Sequence, residues 1–465
     1  MLTLVCLCVV IMACRWPRGR PSAAGISPDG TKHRGETMKS AKRRARLATA
    51  AVGVTVAVGA AMAPATAAAG PPAPTAQDGV ARTPPMGWNS WNSFGCDIDE
   101  RLIRDTADAL VGSGMRDAGY QYVVVDDCWF DPQRDPQGNL RANPERFPSG
   151  IRALADYVHS RGLKFGIYQV PTEKTCAQRG GTYPGATGSL GHEEQDARTF
   201  AEWGVDYLKY DWCSPEGTLE DQIAAFTKMR DALAATGRPI VYSINSNSYH
   251  PDKNGATHDW SPVANMWRTT EDIKPVWDSG NENEYPMGVV NIIDVNRGLA
   301  AQARPGHWND PDMLEVGVYD VEGFKGLTDT EARAHLSMWA LMASPLIAGN
   351  NVTRMPDGIR DILTNREVVA VDQDPAGAQG VPVRDHGDRE VWVKNMADGS
   401  RVVALFNRGE RPAGIRTTAR EAGLPKASEY QVRDLWAHET STTDGEIRAE
   451  VPAHGVVLLR VSAQG

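Results

Sequence analysis

The sequence predicts an α/β protein, a (β/α)8 TIM barrel followed by a C-terminal antiparallel β-sandwich domain. Eight short apolar or β-branched runs recur between residues 83 and 375, and most of them precede an amphipathic stretch. After residue 375 the pattern changes to short alternating runs. Repeated βα units build parallel sheets, and eight units over about 290 residues match a closed barrel in number and size.

The eight predicted strands are apolar or β-branched and are followed closely by polar residues. They cover residues 85–91, 122–127, 164–168, 207–211, 240–244, 265–269, 306–310 and 345–349. Predicted helices occupy residues 99–118, 150–161, 192–203, 216–236 and 328–343. Because such barrels carry their active sites at the C-terminal ends of the strands, we expect the functional residues there. The catalytic barrel is predicted to span residues 83–375.

Residues 376–465 are predicted to form the antiparallel β domain. Runs such as 390–394, 401–406 and 455–460 are separated by Gly, Asp and Pro, as in antiparallel strands. This region holds few clustered carboxylates or histidines. We therefore expect it to cover apolar surface of the barrel rather than to bind carbohydrate.

The N-terminal region predicts export. Ten of the 49 basic residues and two of the 58 acidic ones precede residue 70. From Met38 a basic segment, an apolar run and a small-residue stretch form a signal peptide over 38–69, followed by a linker over 70–82. A retained membrane helix is the alternative, but no stop-transfer cluster follows the run. Residues 1–37 are interpreted as a non-native extension, with translation starting at Met38, and the processed protein is expected to be secreted and free of the membrane.

Charge and cysteine content narrow the function classes further. A net charge of -9 argues against a nucleic-acid partner, which needs clustered Lys and Arg. Cys96, Cys128, Cys176 and Cys213 follow the leader and predict two disulfides in an exported protein, with three possible pairings. A zinc site is the alternative, but neither a C-x-x-C nor an H-x-x-x-H pair is present.

Lys209 and Asp211 are the first candidates for chemistry. They lie two residues apart on a predicted strand and therefore share a face, pointing into the barrel toward its mouth. A neighbouring ammonium keeps a carboxylate ionised and available as a nucleophile. A structural ion pair is the alternative interpretation.

Asp272 is the candidate proton donor, because it follows the sixth predicted strand and can point back across the barrel mouth. Retaining glycoside hydrolysis needs two carboxyl groups about 5–5.5 Å apart. Adjacent Glu271 is an alternative donor, with Asp272 preferred. Arg268 is placed to hold a carboxylate or a sugar hydroxyl, or to form a rim salt bridge.

Other polar and aromatic residues at strand ends suit sugar binding. Asp126 and Asp127 could together bind two neighbouring hydroxyls, and Trp91 and Trp129 offer flat faces to a pyranose ring, although a Trp in an apolar run is usually core. Asp310 and Asp312 could hold Mg²⁺ or Ca²⁺, but no regular oxygen-ligand loop is present. We expect no metal and no cofactor.

Six segments, 83–91, 126–129, 188–196, 207–211, 267–272 and 306–314, resemble glycoside hydrolase family 27, the α-galactosidase (melibiase) family. The resemblance runs in order from residue 83 to about 463. It implies a barrel with a C-terminal β domain and metal-independent hydrolysis with retention, in which Asp211 is the nucleophile, Asp272 the acid/base and Arg268 the accompanying arginine. It also implies sugar-binding positions at Trp91, Asp126, Asp127, Tyr168, Lys209 and Asp312. The implied disulfides are Cys96 with Cys128 and Cys176 with Cys213.

Two segments depart from the family pattern. Residues 169–172 read Gln-Val-Pro-Thr where Ser-Asp-Ala-Gly is common. The loop at 245–250, Asn-Ser-Asn-Ser-Tyr-His, lacks the carboxylate with which family α-galactosidases select at the sugar's 2-position. Its amides and hydroxyls, Asn245 among them, could bind a 2-hydroxyl, make room for an N-acetyl group or accept another sugar; the alternative is a surface loop.

The sequence thus predicts a secreted exo-glycosidase acting on oligo- or polysaccharides with terminal α-D-galactose. Within the family the alternatives are α-N-acetylgalactosamine, β-L-arabinopyranose and isomaltose units. A non-catalytic carbohydrate-binding barrel and a metal-dependent sugar isomerase or hydrolase are the alternatives from other classes.

Overall fold

A computed structural model describes residues 79–464. The N-terminal extension (1–37), the signal peptide (38–69) and most of the linker (70–82) lie outside the described residues. Within 79–464, none of the helices combines the length and the hydropathy that crossing a membrane requires.

The first part of the described chain forms a curled sheet of eight parallel strands surrounded by helices, which confirms the predicted fold class. The strands are β1 (Met86–Asn89), β2 (Tyr122–Val125), β3 (Lys164–Gln169), β4 (Tyr207–Asp211), β5 (Val241–Asn245), β6 (Met266–Arg268), β7 (Trp308–Asp310) and β8 (Leu346–Ala348). Hydrogen-bonded pairing runs in the order β7-β6-β5-β4-β3-β2-β1-β8. Neighbours in sequence are therefore neighbours in space, as expected of repeated βα units.

Strands β7 and β8 share no ladder, and Leu314 closes the barrel between them. The Leu314 amide donates to the Ile347 carbonyl at 2.7 Å, and its carbonyl accepts from the Gly349 amide at 3.0 Å. Pro311 and Asp312, the latter with φ of 82°, turn the chain before this contact. Closure thus uses a residue beyond β7, which places the β7–β8 loop at the barrel mouth.

The five predicted helices are present, but one of them is divided and the described residues hold further helices that were not predicted. They are α1 (Trp91–Phe94), α2 (Glu100–Gly112), α3 (Met115–Ala118), α4 (Gly150–Ser160), α5 (Cys176–Arg179), α6 (Glu193–Trp203), α7 (Leu219–Ala235), α8 (Asn254–Thr257), α9 (Val289–Asn296), α10 (Asp329–Leu341), α11 (Asp357–Leu363) and α12 (Arg366–Asp372). The single helix predicted over 99–118 is divided, because Gly114 has φ of 84° and interrupts the α-helical path. The helices that were not predicted are α1, α5, α8, α9, α11 and α12.

The barrel interior has an apolar lower layer. Tyr122, Val124, Tyr207, Met266 and Trp308 form a buried cluster inside it. Side chains alternate between the two faces of a strand, so the next inward positions on β4 are Lys209 and Asp211. An apolar layer therefore supports a charged layer at the mouth.

The C-terminal domain is the predicted antiparallel sandwich. Its strands are β9 (Val381–His386), β10 (Arg389–Asn395), β11 (Arg401–Asn407), β12 (Ala413–Thr418), β13 (Tyr430–Asp434), β14 (Glu439–Thr443), β15 (Glu446–Val451) and β16 (Gly455–Ala463). Six strands form one sheet in the order β14-β13-β16-β11-β10-β9, and β12 pairs with β15. One face of the larger sheet packs on the β12–β15 pair, and the other contributes Trp392, Phe406 and Leu458 to the barrel core beside α10. The domain covers apolar barrel surface, as expected.

Candidate active site

A cavity of about 730 Å³ opens at the C-terminal ends of the strands. Seven of the ten side chains predicted to act on or bind substrate line it: Trp91, Asp126, Asp127, Tyr168, Lys209, Asp211 and Asp272. A narrower cavity of about 20 Å³ lies beneath, and Lys209 and Asp211 line both. Strand ends far apart in the sequence thus converge on one pocket.

The Lys209 ammonium holds two carboxylates together at the floor. Its Nζ lies 2.9 Å from Asp126 Oδ2 and 3.8 Å from Asp211 Oδ2. The Asn89 side-chain amide also donates to Asp126 Oδ2, at 2.6 Å. Burial opposes the charge of Lys209, but the two carboxylates outweigh it and raise the pKa of the ammonium well above its usual value. Lys209 therefore stays cationic.

Asp211 combines burial with an unsatisfied oxygen. Its side chain is 7% exposed, and Oδ1 has no hydrogen-bond partner among residues 79–464. Burial raises the pKa of this carboxyl to about 7; Lys209 opposes the shift, and Asp126 and Asp272 add to it. An unpaired buried carboxylate oxygen is costly, and such groups concentrate at functional sites.

Asp127 is fixed by backbone amides from two loops. Its Oδ1 accepts from the Cys128 amide at 2.7 Å and its Oδ2 from the Ala177 amide at 2.9 Å. Burial raises its pKa to about 7, against the effect of these donors. Helix α5, which carries Ala177, is tied to the end of β4 by the Cys176–Cys213 disulfide. The second disulfide, Cys96–Cys128, lies beside Asp127, so the described residues contain both pairings that the resemblance implied.

Arg268 joins the carboxylates that follow β6 and β7. Its guanidinium lies 3.0 Å from Asp272 Oδ1 and 2.8 Å from Asp312 Oδ2. Burial opposes ionisation of Asp272, but Arg268 and Lys209 outweigh it and lower the pKa of this carboxyl. The Asp272 side chain is 40% exposed, whereas that of Asp312 is 4% exposed. Asp272 therefore faces the open cavity, and Asp312 supports Arg268 from below.

Asn245, Arg268 and Asp312 line the narrower cavity rather than the larger one. Asn245 uses its amide within its own loop, donating to Ser248 Oγ at 2.8 Å and accepting from the Asn247 amide at 2.9 Å. Ser248, Tyr249 and His250 of the same loop line the larger cavity instead. Of these three side chains, Tyr249 is the exposed one.

Two other positions singled out in the sequence are structural in this fold. Trp129 is fully buried, and its indole donates to the Tyr168 carbonyl at 2.9 Å. Gln169 is also buried and bonds the Thr187 carbonyl and the Val170 amide. Neither residue lines the cavity.

The sequence analysis missed the charged rim of the cavity. Lys253 lies 2.5 Å from Glu271, so this alternative proton donor is already engaged in an ion pair. Lys274 lies 3.0 Å from Glu322, which comes from the loop after β7. Both ion pairs join residues from separate loops. In the sequence, only the alternation of charges near Asp272 could have indicated that ion pairs form there.

One cluster in the described part of the chain has ligand atoms spaced as for a metal ion, Cys176, Asp211 and Cys213, all within 4.8 Å of one another. Both sulfurs belong to one disulfide and cannot act as thiolates. The residues present therefore do not fit a metal there.

A (β/α)8 barrel with several carboxylates in one cavity at its mouth, followed by an antiparallel sandwich, fits the class of glycoside hydrolases. Comparison with known proteins identifies the family within this class. The family model "Alpha galactosidase A" matches residues 83–374, and the model "Alpha galactosidase C-terminal beta sandwich domain" matches residues 386–461. The chain belongs to the α-galactosidase family, glycoside hydrolase family 27.

Individual relatives cover most of the chain. It is 43% identical to Alpha-galactosidase A of Cellvibrio japonicus, across 82% of this chain and 93% of the relative. The crystal structure of α-galactosidase I from Mortierella vinacea superposes with a TM-score of 0.75 at 36% identity, covering 84% of this chain and 99% of that one. An α-N-acetylgalactosaminidase of Gallus gallus is 38% identical, across 78% of this chain and 88% of the relative. The resemblance found in the sequence is confirmed.

Buried carboxyls with raised pKa values predict that the protein is more stable in mild acid. Besides Asp127 and Asp211, fully buried Glu315 has its pKa raised to about 8 by burial. Between pH 5 and 8 the folded state retains protons that the unfolded chain has released, so unfolding becomes easier as the pH rises. We expect a higher Tm at pH 5 than at pH 8, measured by thermal unfolding.

Two variants test whether buried carboxyls cause this pH dependence of Tm. Glu315→Gln should reduce the difference in Tm between pH 5 and pH 8. Glu367→Gln is the matched control, because its pKa is lowered to about 2 by Arg433 and the folded and unfolded values both lie below pH 5. A Tm that rises from pH 5 to pH 8 in the wild type would contradict the prediction.

Proposed function

We propose that this chain is a retaining exo-α-galactosidase that releases terminal α-D-galactose through a covalent intermediate on Asp211. The observation that carries the proposal is the placement of two carboxyl groups, Asp211 and Asp272, in one cavity at the C-terminal ends of the strands. Retaining hydrolysis needs such a pair, one carboxyl as nucleophile and the other as proton donor. The family membership supports the same activity.

The reaction proceeds by two displacements. Asp211 attacks the anomeric carbon while Asp272 donates its proton to the glycosidic oxygen, so the bond from carbon to that oxygen breaks and the leaving group departs as an alcohol. Asp272, now a carboxylate, then takes a proton from a water molecule while the oxygen of that water attacks the same carbon. The bond to Asp211 breaks, which yields galactose with its original configuration.

The pKa directions in the site run against these roles: burial raises the pKa of Asp211, whereas Arg268 and Lys209 outweigh burial and lower the pKa of Asp272. A nucleophile needs the lower of the two values and a proton donor the higher, so the reaction requires the proton to lie on Asp272 once a sugar is bound. Each carboxylate disfavours a charge on the other, so the pair readily shares one proton. Lys209 and Arg268 stabilise the remaining negative charge.

The remaining floor residues bind the sugar in this proposal. Asp126 and Asp127 accept hydroxyl protons, and the Lys209 ammonium donates to a sugar oxygen. Trp91 and Tyr168 present ring surface to the pyranose. Arg268 and Asp312 act from beneath by positioning Asp272, as their contacts indicate.

Carboxylate variants test the assignment of roles. Asp211→Gly and Asp272→Ala should each lower kcat by at least about a thousandfold on substrates with poor leaving groups. Azide should rescue Asp211→Gly to give the β-galactosyl azide, and rescue Asp272→Ala on activated substrates to give the α-galactosyl azide. Product configuration is read by NMR.

Glu271→Gln is the matched control for Asp272, because Glu271 is adjacent but paired with Lys253. It should lose less than about tenfold in kcat. Full activity of Asp272→Ala together with an inactive Glu271→Gln would transfer the acid/base role to Glu271. Release of β-galactose as the first product would exclude retention.

The identity of the sugar is tested separately, since the similarity to an α-N-acetylgalactosaminidase keeps a second candidate open. We expect the α-galactoside to be the fastest substrate in a panel of 4-nitrophenyl glycosides, by at least about tenfold in kcat/KM. The panel includes the α-N-acetylgalactosaminide, β-L-arabinopyranoside and α-glucoside. A faster rate on another glycoside would keep the mechanism and change the substrate, whereas no turnover of any would favour a carbohydrate-binding barrel.

We further propose that the protein is secreted after removal of residues 38–69. Two disulfides in the described residues support this, because they persist in oxidising compartments. Expression from Met38 should release a protein whose N-terminus, determined by sequencing, lies near residue 70. Retention of residues 38–69 on a membrane-bound product would contradict the proposal.

A further inference from the structure

Asn89 lies beneath the residues assigned to the sugar and does not line the larger cavity. It is the last residue of β1, it is 3% exposed, and it lines the narrower cavity of about 20 Å³. The proposed function gives this side chain no role. A buried side-chain amide needs hydrogen-bond partners, and the partners of Asn89 are two residues of the site, Asp126 and Trp91.

The two ends of the Asn89 amide contact different parts of the site. Its nitrogen donates to Asp126 Oδ2 at 2.6 Å, and its oxygen accepts from the Trp91 backbone amide at 2.8 Å. The Trp91 N–H can only donate, so the oxygen must face Trp91 and the nitrogen must face Asp126. The orientation of the amide is therefore set by its partners, and one side chain links the end of β2 to the first residue of α1.

Two donors occupy the same oxygen of Asp126. The Lys209 ammonium donates to Oδ2 at 2.9 Å, beside Asn89, whereas the Asp127 backbone amide donates to Oδ1 at 2.9 Å. Each carboxylate oxygen has about two acceptor positions, so both positions on Oδ2 are filled and one on Oδ1 remains. In the proposed function, the oxygen of Asp126 that accepts a sugar hydroxyl is therefore Oδ1.

Of the two donors to Oδ2, Asn89 is the one that gives a direction. The torsion that rotates a carboxylate has a broad energy minimum, so contacts decide its angle. The Lys209 ammonium is a point charge on a flexible stem, and it also lies 3.8 Å from Asp211 Oδ2. The amide of Asn89 is short and planar, and its backbone pairs with Val124 of β2. It therefore holds the Asp126 carboxylate at one angle.

We propose that Asn89 is a positioning residue, which fixes the acceptor oxygen of Asp126 and the start of α1, where Trp91 lies, in one arrangement for the sugar. The inference rests on the proposed function, in which Asp126 accepts a sugar hydroxyl and Trp91 contacts the pyranose ring. Asparagine suits the position because it offers a donor and an acceptor side by side. An aspartate at this position offers two acceptors, and a leucine offers neither group.

Asn89→Asp separates the two contacts. The new carboxyl still accepts from the Trp91 amide, but once ionised it places an oxygen against Asp126 Oδ2. We expect kcat/KM on 4-nitrophenyl α-galactoside to fall at least about tenfold at pH 8, mainly through KM, because a donor to a charged group is lost. In acid the new carboxyl binds a proton and can donate, so activity relative to the wild type should rise as the pH is lowered. Wild-type kcat/KM at every pH would overturn the proposal, because anchoring α1 alone needs only the acceptor.

A double-mutant cycle tests whether Asn89 acts through Asp126. Asn89→Ala should lower kcat/KM by about tenfold in the wild type, but by less than about threefold when Asp126→Asn is already present. The inhibition constant of galactose should show the same pattern, since the contact is made to bound sugar. Equal fold losses in the two backgrounds would overturn the proposal.

Asn92→Asp is the matched control. Asn92 is also buried, and it donates its amide to a buried carboxyl, that of Glu315, but neither residue lines either cavity. The variant should lower Tm yet change kcat/KM by less than about threefold. A loss as large as that of Asn89→Asp would overturn the positioning role, because any disturbance of α1 would then suffice. A wild-type protein that hydrolyses no α-galactoside would instead overturn the proposed function itself.

Discussion

The site depends on one buried cation, Lys209, placed between two carboxylates. Bringing Asp126 and Asp211 into a barrel mouth without it would bury two negative charges side by side, at a cost that hydrogen bonds alone could not offset. Lys209 reaches both because it shares the inward face of β4 with Asp211 and crosses to the end of β2. Tyr122, Tyr207 and Trp308 fill the barrel below and keep this charged layer at the mouth.

The loops around this layer are shaped by strained positions. Cys128, Tyr249 and Asp312 all have positive φ values without being glycine. Cys128 follows the Asp126-Asp127 pair and donates its amide to Asp127, while Asp312 turns the chain so that its carboxylate reaches Arg268. Strain is tolerated where disulfides and buried ion pairs hold the chain on both sides. Each strained residue thus sets the direction of a side chain at the cavity.

The sequence predicts well what depends on strand periodicity and poorly what depends on loop contacts. Alternation along β4 places Lys209 and Asp211 on one face, and the strand ends locate Asp126 and Asp272, because both follow from local geometry. The barrel closure through Leu314 depends on how the turn after β7 meets β8, which no periodicity encodes.

Residues of the cavity rim and of the β5 loop also depend on loop contacts that the sequence does not predict. Asn245 follows a strand and bears an amide, so the sequence predicts a contact with substrate; its neighbours Asn247 and Ser248 take up that amide instead. Tyr285 lies in a loop without regular structure, and only its contacts with Lys274 and Glu322 give it a fixed position. Such contacts join segments far apart in the chain and become visible only once the chain is folded.

In the proposed function, the β5 loop faces the 2-position of the sugar, and its contacts limit how the pocket can select there. The Asn247 side-chain amide donates to the Arg268 and Thr270 carbonyls, and its oxygen accepts from the Gly255 amide. Both ring nitrogens of His250 contact backbone groups. Ser248, Tyr249 and His250 of this loop line the cavity, and His250 offers it no free ring nitrogen. A single neutral hydroxyl offers modest discrimination between a hydroxyl and an N-acetyl substituent. In the proposed function, selection at this position therefore depends on the space beside Tyr249, whose hydroxyl lies against Gly180.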